Sequence, residues 1–188
     1  MTDKTNNIMK NIKVEKLTFN FGSGKDQKKL EKGMILIKHI TGKNPIKTIT
    51  SKRIPSWGLR PGLPVGCKLT LRGKQVQDLI VRLLKAKKNQ LTFKQFDNNG
   101  SVAFGIPEYI EIPEVEYEPK IGIMGFEVCI TLSRPGFRIK NRKLNKAKIH
   151  KNHKISKEEA IEFMKKEFGA IVGEKKWVIA IIEKHSNN

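Results

Sequence analysis

Residues 65–87 read VGCKLTLRGKQVQDLIVRLLKAK, and the period of the apolar residues changes partway along. From Val65 to Arg72 the residues alternate. Cys67, Leu69 and Leu71 point one way, and Lys68, Thr70 and Arg72 point the other. A period of two is that of a strand with one buried face. Gly73 ends it. From Gln75 to Lys87 the period lengthens, with Val76, Leu79, Ile80, Leu83 and Leu84 at i, i+3, i+4, i+7 and i+8. That is the stripe of an amphipathic helix. A one-faced strand running directly into a one-striped helix predicts a sheet backed by helices.

The same pattern recurs on both sides. Ile12 to Phe21 reads as a strand with Leu17, Phe19 and Phe21 on one face and Lys16, Thr18 and Asn20 on the other. Gly22-Ser23-Gly24 breaks it. Asp26 to Thr41 reads as a helix striped by Leu30, Met34, Ile37 and Thr41 and flanked by Leu36 and Ile40, with Gly42 placed to terminate it. Ile46 to Arg53 alternates loosely as a second strand, and Pro55 to Pro64, with three prolines, is a loop. Asn98-Asn99-Gly100 is a turn signal between Phe93–Phe96 and Val102–Ile106. Phe126 to Leu132 alternates again, with Phe126, Val128, Ile130 and Leu132 inward, and Arg138 to Lys154 is basic and irregular. Ser156 and Glu159 form a capping box that opens a helix with Ile161, Met164 and Phe168 inward and Gly169 at its end. Runs of adjacent strands predict an α+β fold: a mostly antiparallel sheet with helices packed on one face and the other face open.

The 188 residues suit one domain, or one domain with extensions. Lys and Arg number 38 against 18 Asp and Glu, a net charge of +20 and a pI near 10.0. The longest purely apolar run, Trp177–Ile182, falls far short of the ~20 residues of a spanning helix. Met1–Ile12 is polar and shows no signal peptide, and two cysteines exclude a secreted disulfide scaffold and fit a reducing compartment. The charge is uneven: +10 over 1–63, +6 over 64–105, −5 over 106–133, +9 over 134–155 and zero over 156–188. Positive charge spread through periodic segments implies a folded domain with basic faces that an anionic partner neutralises. Nucleic acid leads, with an acidic membrane surface or acidic protein as alternatives. The outward residues Lys16, Thr18, Asn20, Lys68, Thr70 and Arg72 form either an ordinary solvated face or a basic, hydrogen-bonding one that meets that partner.

Other motifs are sparse. Gly22-Ser23-Gly24 lies between a strand and a helix, where a phosphate can sit, but lacks both the P-loop pattern and the third glycine of a dinucleotide fingerprint. His150 and His153, and Cys67 and Cys129, lack the paired spacings of a zinc site, so neither metal nor cofactor is expected. The acidic run Glu108, Glu111, Glu114, Glu116 and Glu118 has no histidine near it in sequence, and no hydrolase or metalloprotease motif appears. The chain is therefore expected not to be an enzyme. Two rival classes stay open: an RNA-modifying enzyme using the acidic run, and a protein–protein adaptor using that run and Trp177–Ile182. The 52–62 stretch interleaves Lys52, Arg53 and Arg60 with Ser56, Trp57 and Gly58. Trp57 either stacks on a base or folds back into the core.

At this point a family emerges. Residues 49–73, ITSKRIPSWGLRPGLPVGCKLTLRG, resemble the signature of the universal large-subunit ribosomal protein five family, which binds 5S rRNA. Leu17–Gly24 is similar to its first strand and glycine turn, and Thr41–Pro45 to the end of its first helix. Phe96-Asp97 through Gly100, Phe104–Ile106 and Glu108 resemble its central region. Arg134–Phe137, the basic stretch after it and His153–Ala160 are similar to archaeal and eukaryotic members, archaeal above all. The resemblance implies an antiparallel sheet backed by helices, a seat in the central protuberance of the large subunit, and a role in translation. It implies 5S rRNA contacts at Asn20, Lys43 and Thr70, with Lys43 departing from the glutamine common in bacterial members. Lys16, Lys68 and Arg72 extend that surface by strand parity. It implies that Lys52, Arg53, Ser56, Trp57, Gly58 and Arg60 face peptidyl-site tRNA. Further implied partners are large-subunit rRNA, neighbouring central-protuberance proteins and a small-subunit head protein across an intersubunit bridge, with no membrane. The family-like domain spans 1–172, including the basic loop 52–62 and basic segment 134–155. Residues 173–188 form a C-terminal extension whose Trp177–Ile182 run either adds a strand or docks on an RNA or protein neighbour.

Overall fold

The computed structural model describes residues 7–173. Its elements run β1 (Lys13–Gly22), α1 (Gln27–Thr41), β2 (Ile46–Ile49), β3 (Pro64–Leu71), α2 (Gln75–Ala86), β4 (Gln90–Thr92), β5 (Ser101–Ile106), β6 (Phe126–Ser133), α3 (Lys157–Phe168) and β7 (Ile171–Gly173). Five strands form one antiparallel sheet in the order β2-β3-β1-β6-β5, and β4 and β7 pair in parallel. The α+β expectation holds.

The chain divides into two compact units. One comprises Lys16–Lys87 and Ala103–Ile130. Its register sets Thr18 opposite Thr70 and Asn20 opposite Lys68, while β2 sets Ile46 opposite Lys68. The parity read from sequence is the parity observed. Leu17, Phe19, Phe21, Cys67, Leu69 and Leu71 are buried, as are Phe126, Val128 and Ile130 of β6. Asp26 caps α1 by accepting from the Lys29 N–H, and Gly42 closes it in the left-handed conformation. The buried stripe of α1 is shifted toward its expected flank of Leu36 and Ile40. Leu30, Gly33, Leu36, Ile37 and Ile40 are buried, whereas Met34 and Thr41 are half-buried. Gly33 is the cause. A Cβ there would collide with the Phe21 ring, so the helix turns its bare backbone to that ring. The α2 stripe is as expected, with Ala86 added.

The second unit includes Lys88–Val102 and the described residues from Thr131 onward. Phe93–Gln95 is a 3-10 turn, not the expected strand, because Thr92 and Gln95 close a capping box around it. Phe96 still bridges Val102 across the Asn98–Gly100 turn. In α3 the Ser156–Glu159 capping box is present. The residues it buries are Ala160 and Met164, while Ile161 and Phe168 remain half-buried, so its apolar stripe is narrower than expected. Arg138–Lys154 is irregular apart from two short 3-10 turns. The Trp177–Ile182 run lies outside the described residues.

Candidate nucleic-acid interface

The face of β1 and β3 turned away from the core carries Lys16, Thr18, Asn20, Lys68 and Thr70, all exposed or half-exposed. Two cross-strand pairs, Thr18–Thr70 and Asn20–Lys68, put hydroxyl, amide and ammonium groups side by side. Ile46 of β2 also faces out there, opposite Lys68. From β6 comes a group that the sequence argument missed. Asn20 Nδ2 donates to Glu127 Oε2 at 3.2 Å. The bond turns the Asn20 carbonyl oxygen free as an acceptor and sets one carboxylate in an otherwise basic face. Parity alone placed Glu127 outward, between Phe126 and Val128. What local sequence does not encode is that β6 lies beside β1.

Arg72 and Lys43 are grouped differently from the sheet residues. β3 ends at Leu71, and the chain turns at Gly73 into α2. Arg72 and Lys43 line a small cleft of about 180 Å³ between the end of α1 and the start of α2, together with Gln75 and Arg82. Three cations thus share one hollow with Asp78, and among the described residues Arg82 is the one of the three with an ion pair, its Nε lying 3.3 Å from Glu114.

The second strand is shorter than expected. β2 stops at Ile49, where a bulge shifts its register, so Lys52 and Arg53 belong to the loop. That loop is folded. Thr50 N–H donates to the Leu63 carbonyl, and Gly62 N–H donates back to the Thr50 carbonyl. Ile54 and Leu59 exchange both backbone hydrogen bonds. Leu59 is buried and anchors the return arm. Pro55–Trp57 makes a 3-10 turn that Gly58 ends at φ 66°. The tip therefore holds Trp57 out, 68% exposed, with Lys52, Arg53, Ser56 and Arg60 exposed around it. Of the two readings of Trp57, the core one fails.

The Gly22–Gly24 turn is not open to a phosphate. Ser23 and Gly24 N–H groups both donate to the Val65 carbonyl, and the Asp26 carboxylate occupies the α1 N-terminus. Cys67 is a neutral buried thiol, pushed up to about 11 by burial. Cys129 is raised by burial and then by the Glu127 charge. Among the described residues no group of three metal-ligating side chains converges. Glu108, Glu111, Glu114 and Glu116 are exposed and Glu118 half-exposed. Glu114 pairs with Arg82, and the Glu118 N–H donates to the Tyr109 hydroxyl oxygen. They form a solvated edge, which removes the footing of the enzyme reading. No described helix is long and apolar enough to cross a membrane.

A helix-backed sheet with a polar outer face, a braced basic loop and dispersed carboxylates defines a binding protein of the α+β class. The comparisons place it more closely. Residues 7–60 match the sequence profile of ribosomal protein L5, and residues 64–163 match the profile of that ribosomal family's C-terminus. The chain is 42% identical to the large ribosomal subunit protein uL5 of Sulfurisphaera tokodaii, over 91% of this chain and 97% of that one. It is 40% identical to the same-named protein of Nanoarchaeum equitans, over 86% and 95%, and 41% identical to that of Nitrosopumilus maritimus, over 92% and 99%. The chain belongs to the uL5 family of ribosomal proteins, in its archaeal form. It is a structural, non-enzymatic constituent of the large ribosomal subunit, ribosome-bound in the cytoplasm.

Proposed function

We propose that this chain anchors 5S rRNA in the central protuberance through the open sheet face, and reaches peptidyl-site tRNA with the 52–62 loop. The observation that carries the first part is the register that sets Thr18 beside Thr70 and Asn20 beside Lys68 on the solvent side. Lys16 and Lys68 neutralise phosphates, while Thr70 and the free Asn20 carbonyl exchange hydrogen bonds with sugar hydroxyls or base edges. Lys43 and Arg72 extend the contact from their shared cleft. Each phosphate neutralised releases counterions, so affinity falls steeply with salt. The exposed Trp57, ringed by Lys52, Arg53 and Arg60 and set by Ser56 and Gly58, supports the tRNA contact: a flat ring stacks while the cations hold phosphates. Large-subunit rRNA, neighbouring proteins of the protuberance and a small-subunit head protein across an intersubunit bridge complete the surroundings we assign. The same reading takes 1–172 as the family-like body and 173–188 as an extension, and it is supported by two relatives whose 172-residue alignments take up 97% and 99% of their own length.

The test is binding of the full chain to 5S rRNA and to an unrelated structured RNA of similar length at physiological salt. Preference for 5S rRNA is expected, and equal affinities would sink the proposal. Asn20→Ala with Thr70→Ala is expected to weaken 5S binding by about 2–4 kcal/mol, at about 1–2 for each lost hydrogen bond. A silent pair combined with a Trp57→Ala variant that abolishes 5S binding would mean that the loop, not the sheet, holds the RNA.

A further inference from the structure

The segment 134–155 carries nine basic and no acidic residues, and neither the sheet face nor the loop accounts for it. It folds around a cleft of about 520 Å³. Phe137, Ile149 and Ile155 supply an apolar floor, and Lys140, Lys148, Lys151 and Lys154 stand around it. The floor is built in. Ile155 is buried against Gly100, where a Cβ would meet its side chain at 2.7 Å. The same turn brings Asn99 to the rim. Arg134 fixes one end of the segment to the other by donating to the Lys154 carbonyl at 3.1 Å.

The electrostatics of the cleft are one-sided. No carboxylate lines it, and among the described residues none of the four lysines has one within 4 Å. Lys140 lies over the Phe137 ring, with its Nζ 5.0 Å from the centroid. Four ammonium groups around an apolar hollow repel one another until an anion enters. Phosphate alone would leave the floor wet, and an apolar group alone would leave the charges unmet. A ligand that satisfies both is flat and apolar in body with anionic groups on either side. An unpaired nucleotide within an RNA strand has that form, a base flanked by two phosphates. The cleft lies in the size range of pockets that take small ligands.

We propose that this cleft holds one unpaired RNA nucleotide, its base on the Phe137–Ile149–Ile155 floor and its flanking phosphates on the lysines. Lys140 exchanges the ring for a phosphate as the base enters. The site shares no residue with the sheet face, and either can fail without the other.

The test follows the isoleucine methyl groups of the full chain by NMR during titration with the RNA pentamer UUAUU. The control is the same strand with an abasic residue in place of the adenosine, which keeps every phosphate. Saturable shifts of the Ile149 and Ile155 methyls are expected with UUAUU, at an affinity at least about fivefold above that of the abasic strand. Lys148→Ala with Lys151→Ala, both exposed positions, is expected to weaken that titration by about tenfold or more. Asn20→Ala with Thr70→Ala is expected to leave it unchanged, which separates this site from the 5S assignment. Unmoved methyls, equal affinity for the abasic strand, or an equally tight titration with a deca-glutamate peptide would each overturn the proposal, the last in favour of an acidic protein partner.

Discussion

Replacing Arg134 tests how the basic segment is held. The side chain is 5% exposed. Its Nη2 donates to Glu159 Oε1 at 2.7 Å, and its Nη1 donates to the Lys154 carbonyl at 3.1 Å and, weakly, to the His153 carbonyl at 3.5 Å. One guanidinium thus ties the end of the 134–155 segment to the first turn of α3. Arg134→Met keeps the length and removes the charge. The lost charge-assisted bond is worth about 1.5–3 kcal/mol. Two terms reduce this. Arg134 Nε is buried without a partner, so its desolvation is no longer incurred. Glu159 is 41% exposed, and water takes up part of what Arg134 gave it. A net loss of about 1–2 kcal/mol is expected near pH 7, read by urea denaturation of the full chain. The pH profile identifies the cause. Burial pushes the Glu159 carboxyl up, but the bonds from the Ser156 N–H and Arg134 together outweigh it and leave it below its ordinary value of 4.5. A depressed acid contributes stability that is whole above the unfolded value and disappears as pH falls through the folded one. The gap between the native chain and Glu159→Gln should therefore be constant above about pH 4.5 and close below it. A loss under about 0.5 kcal/mol for Arg134→Met, or a gap indifferent to acid, would show that the pair does not hold the segment.

Three further outcomes follow from packing and exposure. Gly33→Ala should cost about 1–2 kcal/mol, because the new methyl overpacks the buried Phe21 ring by more than the ~1 kcal/mol of helix propensity it gains; a stabilised variant in urea would contradict the packing. Trp57→Ala should change stability by less than about 0.5 kcal/mol while weakening tRNA contact in ribosomes reconstituted with the variant. Cys67, with its thiol pushed up to about 11, should resist iodoacetamide at pH 8 in the native chain and react once the chain is unfolded in urea; rapid native alkylation at that position would mean that β3 opens.

The legible parts of the fold are those where one face is buried along a whole element. In β1, β3 and β6 a slip of one residue would expose every apolar side chain, so the alternation is strict and can be read. β4 and β7 have three residues each, too few to show a period, and their parallel pairing is not local. Phe93 and Phe96 imitate a strand, yet the bond from Thr92 N–H to Gln95 Oε1 at 2.8 Å settles a turn between them. In α1 the misleading residue is Gly33, which fills a core position with no side chain to register as apolar. The site divides along the same line. Asn20 and Thr70 follow from parity, whereas the Asn20–Glu127 bond and the Lys43–Arg72 cleft need strand order and helix placement.

The distribution of counter-charge has a consequence for how the two basic regions respond to salt. The −5 segment sends Glu114 to Arg82 and Glu127 to Asn20, so the unit that bears the sheet face contains part of its own neutralisation. Glu127 also bars phosphate from its immediate surroundings, since a carboxylate and a phosphate repel at hydrogen-bond distance. On the 5S assignment we propose, RNA on this face presents a hydroxyl or a base amino group there, and Lys16 and Lys68 take the phosphates on either side. The 134–155 segment has no such relief. Its one observed ion pair uses Arg134, the residue turned inward, and leaves the cleft lysines unmatched among the described residues. On the two proposals, binding through that segment leans on counterion release more heavily than binding through the sheet. If both proposals hold, the sheet, with fewer free charges and more oriented hydrogen-bond groups, discriminates between RNAs through its donors and acceptors, and the segment adds affinity whose strength depends on salt.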